Sequence, residues 1–313
     1  MQLLKFTANG PDLSVIGLGT WAIGGPWQWG WGPQDDNDSI RAIKSSIDAG
    51  INWIDTAPVY GFGHSEEIVG KSISGHRNEV FVATKCGLVW NEQKKVVKTL
   101  KAGSIRSEIE ASLRRLNTDY IDLYQHHWMD DNTSINESWG ELVKLRDEGL
   151  VRYIGVCNYD VRNLEKCAKL AGIDSLQPPY SLIDRSIEKD LLPWCSKNKA
   201  AVLAYSPLQN GLLTGKFNLE KLAEDDWRRK SIYFKEPMYS QNMGFVERLS
   251  QIAEKQNISV AQLALGWITH KSANTFALVG ARNEKQAKEN AAAGSVSLSD
   301  EIMHEIEAIA RNK

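Results

Sequence analysis

Hydrophobic and polar positions alternate along this chain in two rhythms. From residue 16 onward, short apolar runs recur: "IGLG" (16–19), "INWI" (51–54), "VFVAT" (80–84), "YIDLYQ" (120–125), "YIGV" (153–156), "SLQ" (175–177), "AVLAY" (201–205) and "TFALV" (275–279). Near-continuous apolar runs of this length suit strands buried on both faces of a parallel sheet. Between them the period lengthens. Ile40, Ile43 and Ile47 fall on one helical face, as do Ile105, Ile109, Leu113 and Leu116, with charges between them. "SINE" (134–137) and "SVAQ" (259–262) have the Ser-x-x-Glu/Gln form of a capping box and mark helix starts. Strand then helix, eight times over, predicts a parallel sheet closed into a (β/α)8 TIM barrel, with extra helices at its C-terminal end.

Two segments depart from the alternation. "LLKF" and "LSV", separated by "TANGPD" with its Asn-Gly turn signal, predict a hairpin that plugs the lower end of the barrel. After the seventh run, about 40 residues separate "AVLAYSP" from the helix near Val246. A stretch that long without structure inside a compact domain is usually functional, often a lid or clasp; a solvated insertion is the plainer alternative. No Pro/Gly/Ser-rich linker divides the chain, so residues 1–313 are expected to form one domain.

Composition narrows the class of partner. Hydrophobic residues make up 42% and charged residues 24%, enough for a well-filled core, and the net charge is -2 with Lys and Arg scattered. That pattern offers no basic stripe to nucleic acid and no polybasic cluster to a membrane, and leaves a small molecule as the expected partner. Cys86, Cys157, Cys167 and Cys195 stand far apart, without C-x-x-C or zinc spacing, so no metal site is expected and a reducing, cytoplasmic setting fits. "MQLLKFTANGPDLSV" has neither a signal-peptide pattern nor an apolar run that could span a bilayer. Oligomeric state is not legible.

In a barrel of this class the active site lies at the carboxyl ends of the strands. The residues that end the runs are Asp55, Lys85, Gln125 or His127, Asn158, Gln177 and Tyr205, with Tyr60 in the loop after the second. A polar residue at one strand end needs no function to explain it; a carboxylate, an ammonium, an imidazole and phenols converging on one mouth is the setting for acid/base chemistry. "IDLYQHHW" (121–128) poses a choice. Neighbouring side chains on a strand point to opposite faces, so His126 and His127 cannot both reach that mouth, and periodicity alone does not say which parity faces inward.

At these residues the chain resembles the aldo-keto reductase family, nearly end to end. "DTAPVYGFGHSEE" (55–67) matches the family's Asp-Thr-Ala-x-x-Tyr-Gly-x-Gly-x-Ser-Glu motif and "ATK" (83–85) its strand-end lysine. "DLYQHHW" matches the Asp-Leu-Tyr-x-x-His-Trp segment, "GVCNY" the Gly-Val-Ser-Asn segment, and "AYSPLQNGLLTGK" (204–216) the cofactor clasp. The resemblance implies a catalytic tetrad of Asp55, Tyr60, Lys85 and His127, leaving His126 under the helix layer or at the rim. It implies a nicotinamide cofactor, with Gly19, Thr20, Trp21 and Asp55 beside it, Asn158 and Gln177 on its carboxamide and Tyr205 stacked on its ring. Ser206, Leu208, Gly211 and Lys216 would line the pyrophosphate clasp, and Gly280, Arg282, Gln286, Glu289 and Asn290 the adenosine end. Where many members carry Lys-Ser and a later Arg, this chain has Gly280-Ala281 and Gln286, as in the bacterial and channel-subunit branches. Arg282 favours NADPH over NADH, because a guanidinium holds a phosphate with paired, charge-assisted hydrogen bonds.

Carbonyl reduction also needs a proton. Tyr60 is the candidate acid; Lys85 is expected to lower its pKa from ~10, with Asp55 holding the lysine charged. Trp21 and Trp128 fit the family's substrate-pocket positions, and the resemblance implies an NADP(H)-dependent oxidoreductase that reduces an aldehyde or ketone, a sugar aldehyde among the candidates, to the alcohol, or runs the reverse. Trp27, Trp29 and Trp31 share strand-like parity and would pack one apolar face on the barrel. A nicotinamide-binding regulatory subunit with vestigial chemistry is the second reading. A metal-dependent barrel hydrolase is the third, and lacks a His-x-His strand or carboxylate cluster.

Overall fold

Phe6 and Leu13 explain the opening hairpin. In the computed structural model, which describes residues 1–311 apart from Gln28 and Ala273, strands β1 (Leu3–Lys5) and β2 (Asp12–Ser14) pair antiparallel. Phe6 and Leu13 are buried with Trp53, Phe81, Leu123, Leu203, Phe276 and Leu278. They close the lower end of the barrel, as the turn signal predicts.

The alternation then runs through β3 (Ile16–Gly19), α1 (Asp36–Asp48), β4 (Trp53–Asp55), α2 (His64–Ser72) and β5 (Phe81–Cys86). A second hairpin, β6 (Leu88–Trp90) with β7 (Val96–Lys98), precedes α3 (Ala102–Leu116). There follow β8 (Ile121–His126), α4 (Ile135–Asp147), β9 (Val151–Cys157), α5 (Val161–Leu170), β10 (Ser175–Gln177), α6 (Leu191–Asn198) and β11 (Ala201–Ala204). The chain ends with α7 (Met238–Lys255), α8 (Val260–Lys271), β12 (Thr275–Gly280), α9 (Glu284–Ala293) and α10 (Asp300–Arg311). β3, β4, β5, β8, β9, β10, β11 and β12 close in that order into an all-parallel barrel, so each apolar run is a barrel strand.

Strand parity sorts the core into two shells. Trp53, Ala83, Leu123 and Phe276 belong to the cluster around the hairpin plug, whereas Ile54, Val82, Tyr124 and Ala277 join the larger cluster under the helices. Continuing upward on the plug's parity leads to Asp55, Lys85 and Gln125. Helix starts follow their caps. The Ser259 and Gln262 side chains form a full capping box, while at "SINE" Ser134 caps Glu137 and the Glu137 carboxylate instead accepts from Ala102 N of α3.

Two expectations need correction. The β6–β7 hairpin has no counterpart among the apolar runs, because its strands are short and its turn, "NEQKK", is polar. The long connection is not structureless: short 3-10 turns occupy 209–214, 219–221, 227–230 and 232–234, and α7 begins at Met238, ahead of Val246. Among the described residues no helix is long and apolar enough to cross a membrane. Cys86, Cys157, Cys167 and Cys195 are buried free thiols.

Candidate active site

Above the plug, the inward-facing positions turn polar and bond to one another. Lys85 Nζ donates to Asp55 Oδ1 at 2.5 Å and to the Thr56 carbonyl at 2.9 Å, and lies 3.3 Å from the Tyr60 hydroxyl. The other Asp55 oxygen accepts from Gln177 Nε2 at 2.9 Å and Gln125 Nε2 at 3.2 Å. Asp55 and Lys85 are buried, so the pair persists only because each charge has its counterion and further hydrogen bonds. Burial works against the Lys85 ammonium, yet Asp55 and the neighbouring Tyr60 and Cys157 hold its pKa above the ordinary value.

Tyr60 behaves differently from the sequence expectation. Burial pushes its phenol up to about 12, with Lys85 pulling only part of the way back. An ionised phenol here would lose more hydration than one ammonium restores. Tyr60 therefore keeps its proton at neutral pH.

The two histidines part company. His127, just beyond β8, presents its ring edge-on to Tyr60 with centroids 5.8 Å apart, and burial followed by Lys85 holds its pKa well below the usual range. It is a neutral imidazole. His126 points outward under α4: its Nδ1 lies 3.0 Å from the Tyr159 hydroxyl and its ring 5.7 Å from that of Trp139. Burial pushes its pKa down to about 3.

The remaining expected residues fall into two groups around this centre. Asn158 Nδ2 donates to the His127 carbonyl at 3.1 Å, and Tyr205 donates through its hydroxyl to Asn158 Oδ1 at 2.9 Å. Asn158 N also donates to the Gln177 carbonyl at 3.2 Å, so Asn158, Gln177 and Tyr205 adjoin. Farther out, Gly19 and Gly280 sit side by side at the ends of β3 and β12, and a Cβ on Gly280 would meet only the Gly19 carbonyl, at 3.6 Å. That leaves an open floor beside the buried Thr20, whose hydroxyl donates to the Asp55 carbonyl at 3.1 Å. Ser206, Gln209, Asn210 and Gly211 have positive φ, which folds the clasp into a tight backbone curl that also carries Leu208; Lys216 lies beyond it, exposed. Gln286 Oε1 accepts from Arg282 N at 2.9 Å, and Asn290 Nδ2 donates to the Gly280 carbonyl at 3.0 Å. Glu289 is exposed on α9. Arg282 donates to Gln34 Oε1 at 2.7 Å and to the Pro33 carbonyl at 2.5 Å, and has no carboxylate partner among the described residues. The glycine floor, the curled clasp and the uncompensated guanidinium fit an elongated anionic dinucleotide.

The tryptophans do not share a face, contrary to their parity. Residues 25–35 contain no strand among those described. Trp27 packs 6.1 Å from both Tyr60 and Phe62, Trp31 lies 6.0 Å from Trp21 and under the Arg228 guanidinium, and Trp29 is exposed. Trp227, from the long connection, meets Trp21 at 5.5 Å, and Trp128 lies under Lys98 at the rim. The mouth is walled by aromatic rings around the polar Asp55–Lys85–Tyr60 cluster.

The profile of the Aldo/keto reductase family matches residues 15–311. The chain belongs to the aldo/keto reductase family. Within it, this reductase is 39% identical over 316 residues to aldo-keto reductase YhdN of Bacillus subtilis (strain 168), covering 100% of this chain and 94% of that one. It is 37% identical over 313 residues to the NADH-specific methylglyoxal reductase of Escherichia coli (strain K12), covering 96% and 95%. Among solved structures it is similar to the glycerol dehydrogenase AKR11B4 from Gluconobacter oxydans, with a TM-score of 0.92 and 40% identity over 99% of this chain and 95% of that one. An aldo-keto reductase from Klebsiella pneumoniae in complex with NADPH gives a TM-score of 0.75 at 28% identity, over 98% and 95%.

The geometry also brings in residues that motif reading passes over. Gln125 appears in the sequence as an alternative to His127, yet the structure brings both to this centre, Gln125 bonded to Asp55 and His127 ring-to-ring with Tyr60. Cys157, at the Ser position of the family segment, approaches Gln125 Oε1 with its sulfur at 3.8 Å. Phe62 and Trp90, 5.5 Å apart, complete one wall. Phe62 lies inside the quoted motif; Trp90 and Trp227 carry no local signal, since only the folded hairpin and long connection bring them to the mouth.

Proposed function

We infer that this aldo/keto reductase reduces the carbonyl group of small oxygenated aldehydes or ketones with NADPH, with Tyr60 as proton donor, and runs the reverse oxidation of the matching alcohol. The observation that carries this reading is the Asp55–Lys85–Tyr60 chain beside a neutral His127. A nicotinamide, when bound, supplies the hydride that side chains lack. The residues do the rest. The substrate oxygen would sit between the Tyr60 hydroxyl and the His127 ring, accepting a hydrogen bond from each. As negative charge develops on that oxygen, the Tyr60 proton moves to it, and the Lys85 ammonium 3.3 Å away stabilises the phenolate left behind. Asp55 keeps Lys85 in place, and the aromatic walls exclude water.

The names of the relatives support the substrate class: one is a methylglyoxal reductase and another a glycerol dehydrogenase. Arg282, without a carboxylate partner among the described residues, supports NADPH, as does the NADPH complex of the Klebsiella pneumoniae relative; the NADH-specific relative makes NADH the alternative. A soluble cytoplasmic enzyme acting on small molecules, in one barrel domain, is consistent with these features. The test is NADPH and NADH oxidation with methylglyoxal and glyceraldehyde, and NADP+ reduction with glycerol. Turnover in the reductive direction is expected. Tight cofactor binding with no turnover on any carbonyl would overturn the enzyme reading in favour of a regulatory subunit.

A further inference from the structure

The β6–β7 hairpin leaves β5 directly after Lys85 and Cys86, which makes it one wall of the mouth. Its charge is out of keeping with the rest of the chain. Residues 88–101 carry Lys94, Lys95, Lys98 and Lys101 against Glu92 alone, in a protein whose net charge is -2. None of the lysine ion pairs among the described residues involves any of these four.

Two of the lysines lie over aromatic rings close in sequence to site residues. Lys94 Nζ lies 5.4 Å from the centroid of Phe62, which follows Tyr60 by two residues, and Lys98 Nζ lies 5.1 Å from that of Trp128, which follows His127. A ring face attracts an ammonium but does not neutralise it. Arg228, by contrast, stacks on Trp31 with Asp226 as its counterion. A third group packs on the Phe62 ring that carries Lys94. Trp27 packs against both Phe62 and Tyr60, and its indole Nε1 is buried with no hydrogen-bond partner among the described residues. An indole N–H can only donate, and a buried donor without an acceptor is costly until one arrives.

We propose that Trp27, Lys94 and Lys98 form a subsite for an anionic group, carboxylate or phosphate, carried by the carbonyl substrate away from its reacting carbon. The two ammonium groups supply attraction and the indole N–H a directed hydrogen bond. The subsite rests on the carbonyl-reductase reading of Tyr60 and names the substrate class within it.

Matched pairs test it: succinic semialdehyde against butanal, and glyceraldehyde 3-phosphate against glyceraldehyde, compared by kcat/KM. The anionic member of at least one pair is expected to be favoured by about tenfold at low salt, and the advantage to shrink several-fold at ~0.5 M salt as screening sets in. The pair that shows it identifies the anion. In the Lys94→Gln/Lys98→Gln double variant the ratio should fall toward one, and in Trp27→Phe, which keeps an aromatic ring, it should fall by a factor of about three to ten. Equal kcat/KM within both pairs, or a ratio untouched by the lysine substitutions, overturns the proposal.

A second measurement does not depend on turnover. Indole N–H resonances of 15N-tryptophan-labelled protein are followed during titration with succinate, the Trp27 signal being the one missing from Trp27→Phe. It should shift in the parent and not in the lysine double variant. Absence of turnover on every aldehyde together with a normal shift would overturn the carbonyl-reductase reading and keep the anion site; turnover with neither shift nor preference would overturn the anion site alone.

Discussion

Gly24 and Gly61 touch backbone to backbone. A Cβ on Gly61, whose φ is +63°, would fall 2.0 Å from the Gly24 carbonyl oxygen, and one on Gly24 would fall 2.8 Å from both Gly61 N and the Tyr60 carbonyl carbon. The start of the tryptophan-rich loop is thus seated directly on the residue that carries the phenol. No side chain on either glycine fits without moving the backbone.

Gly24→Ala is therefore expected to act on catalysis more than on folding. Overpacking of this kind costs ~1–3 kcal/mol, and here the backbone that yields is that of Tyr60. Carbonyl reduction should fall at least ~10-fold, the range that a misplacement of about 1 Å can exceed, while urea unfolding shifts only modestly. Full activity in a folded Gly24→Ala variant would show that the contact does not position Tyr60.

Tyr60→Phe removes the proposed proton donor and leaves the ring. Reduction should slow by ~10²–10⁴-fold with cofactor affinity nearly unchanged. Because the phenol pKa is raised to about 12, the parent enzyme holds this proton through neutral and mildly alkaline pH. The reductive kcat/KM should show no loss from Tyr60 ionisation between about pH 6 and 9, whereas the oxidative kcat/KM, which needs the phenolate, should climb toward alkaline pH. A reductive profile that falls across neutral pH and disappears in Tyr60→Phe would contradict the raised pKa.

The adjacent histidines should separate in two assays. His127→Ala is expected to damage turnover far more than His126→Ala, as the ring beside Tyr60 belongs to His127. His126 should show itself in stability. Its folded-state pKa of about 3 lies below the ordinary value near 6.5, so between those values the unfolded chain binds more protons and stability drops as pH falls. The slope attributable to one such group is about 1.4 kcal/mol per pH unit. Comparing urea midpoints at pH 7 and pH 5 for the parent and His126→Leu measures it, and an identical acid slope in both would assign the loss elsewhere.

Arg282 has a structural and a proposed ligand role that must be separated. Its bonds to Gln34 and Pro33 tie the strand-end arginine to the tryptophan-rich loop. If it also holds the 2′-phosphate, Arg282→Ala weakens NADPH by ~1.5–3 kcal/mol, the range for a hydrogen bond to a charged group, and barely alters NADH. Gln34→Ala, which cuts the tie but keeps the guanidinium, should leave the NADPH to NADH ratio of dissociation constants as in the parent. Equal weakening of both cofactors in Arg282→Ala would assign it to the loop alone, and a parent that binds NADH more tightly would reverse the cofactor preference.

Much of this protein is written in local patterns. Eight apolar runs at strand length, separated by helical periodicity, are sufficient for the barrel, because a strand buried on both faces and an amphipathic helix each leave a signature within a few residues. The ends of those runs already name Asp55, Lys85, Asn158, Gln177 and Tyr205, since a barrel strand delivers its last inward side chain to the mouth. What depends on distant groups was not legible. Parity shows that His126 and His127 diverge and the family resemblance selects His127, but the physical reason that its parity faces in lies in the Phe6–Leu13 plug and the packing of Trp139 on His126. The order of residues gives Tyr60 an ammonium neighbour, and burial, a property of the whole assembled site, reverses the direction in which its pKa moves. Trp90 and Trp227 reach the mouth through a short hairpin and a long irregular connection, elements whose place is set by tertiary packing and not by any period of their own.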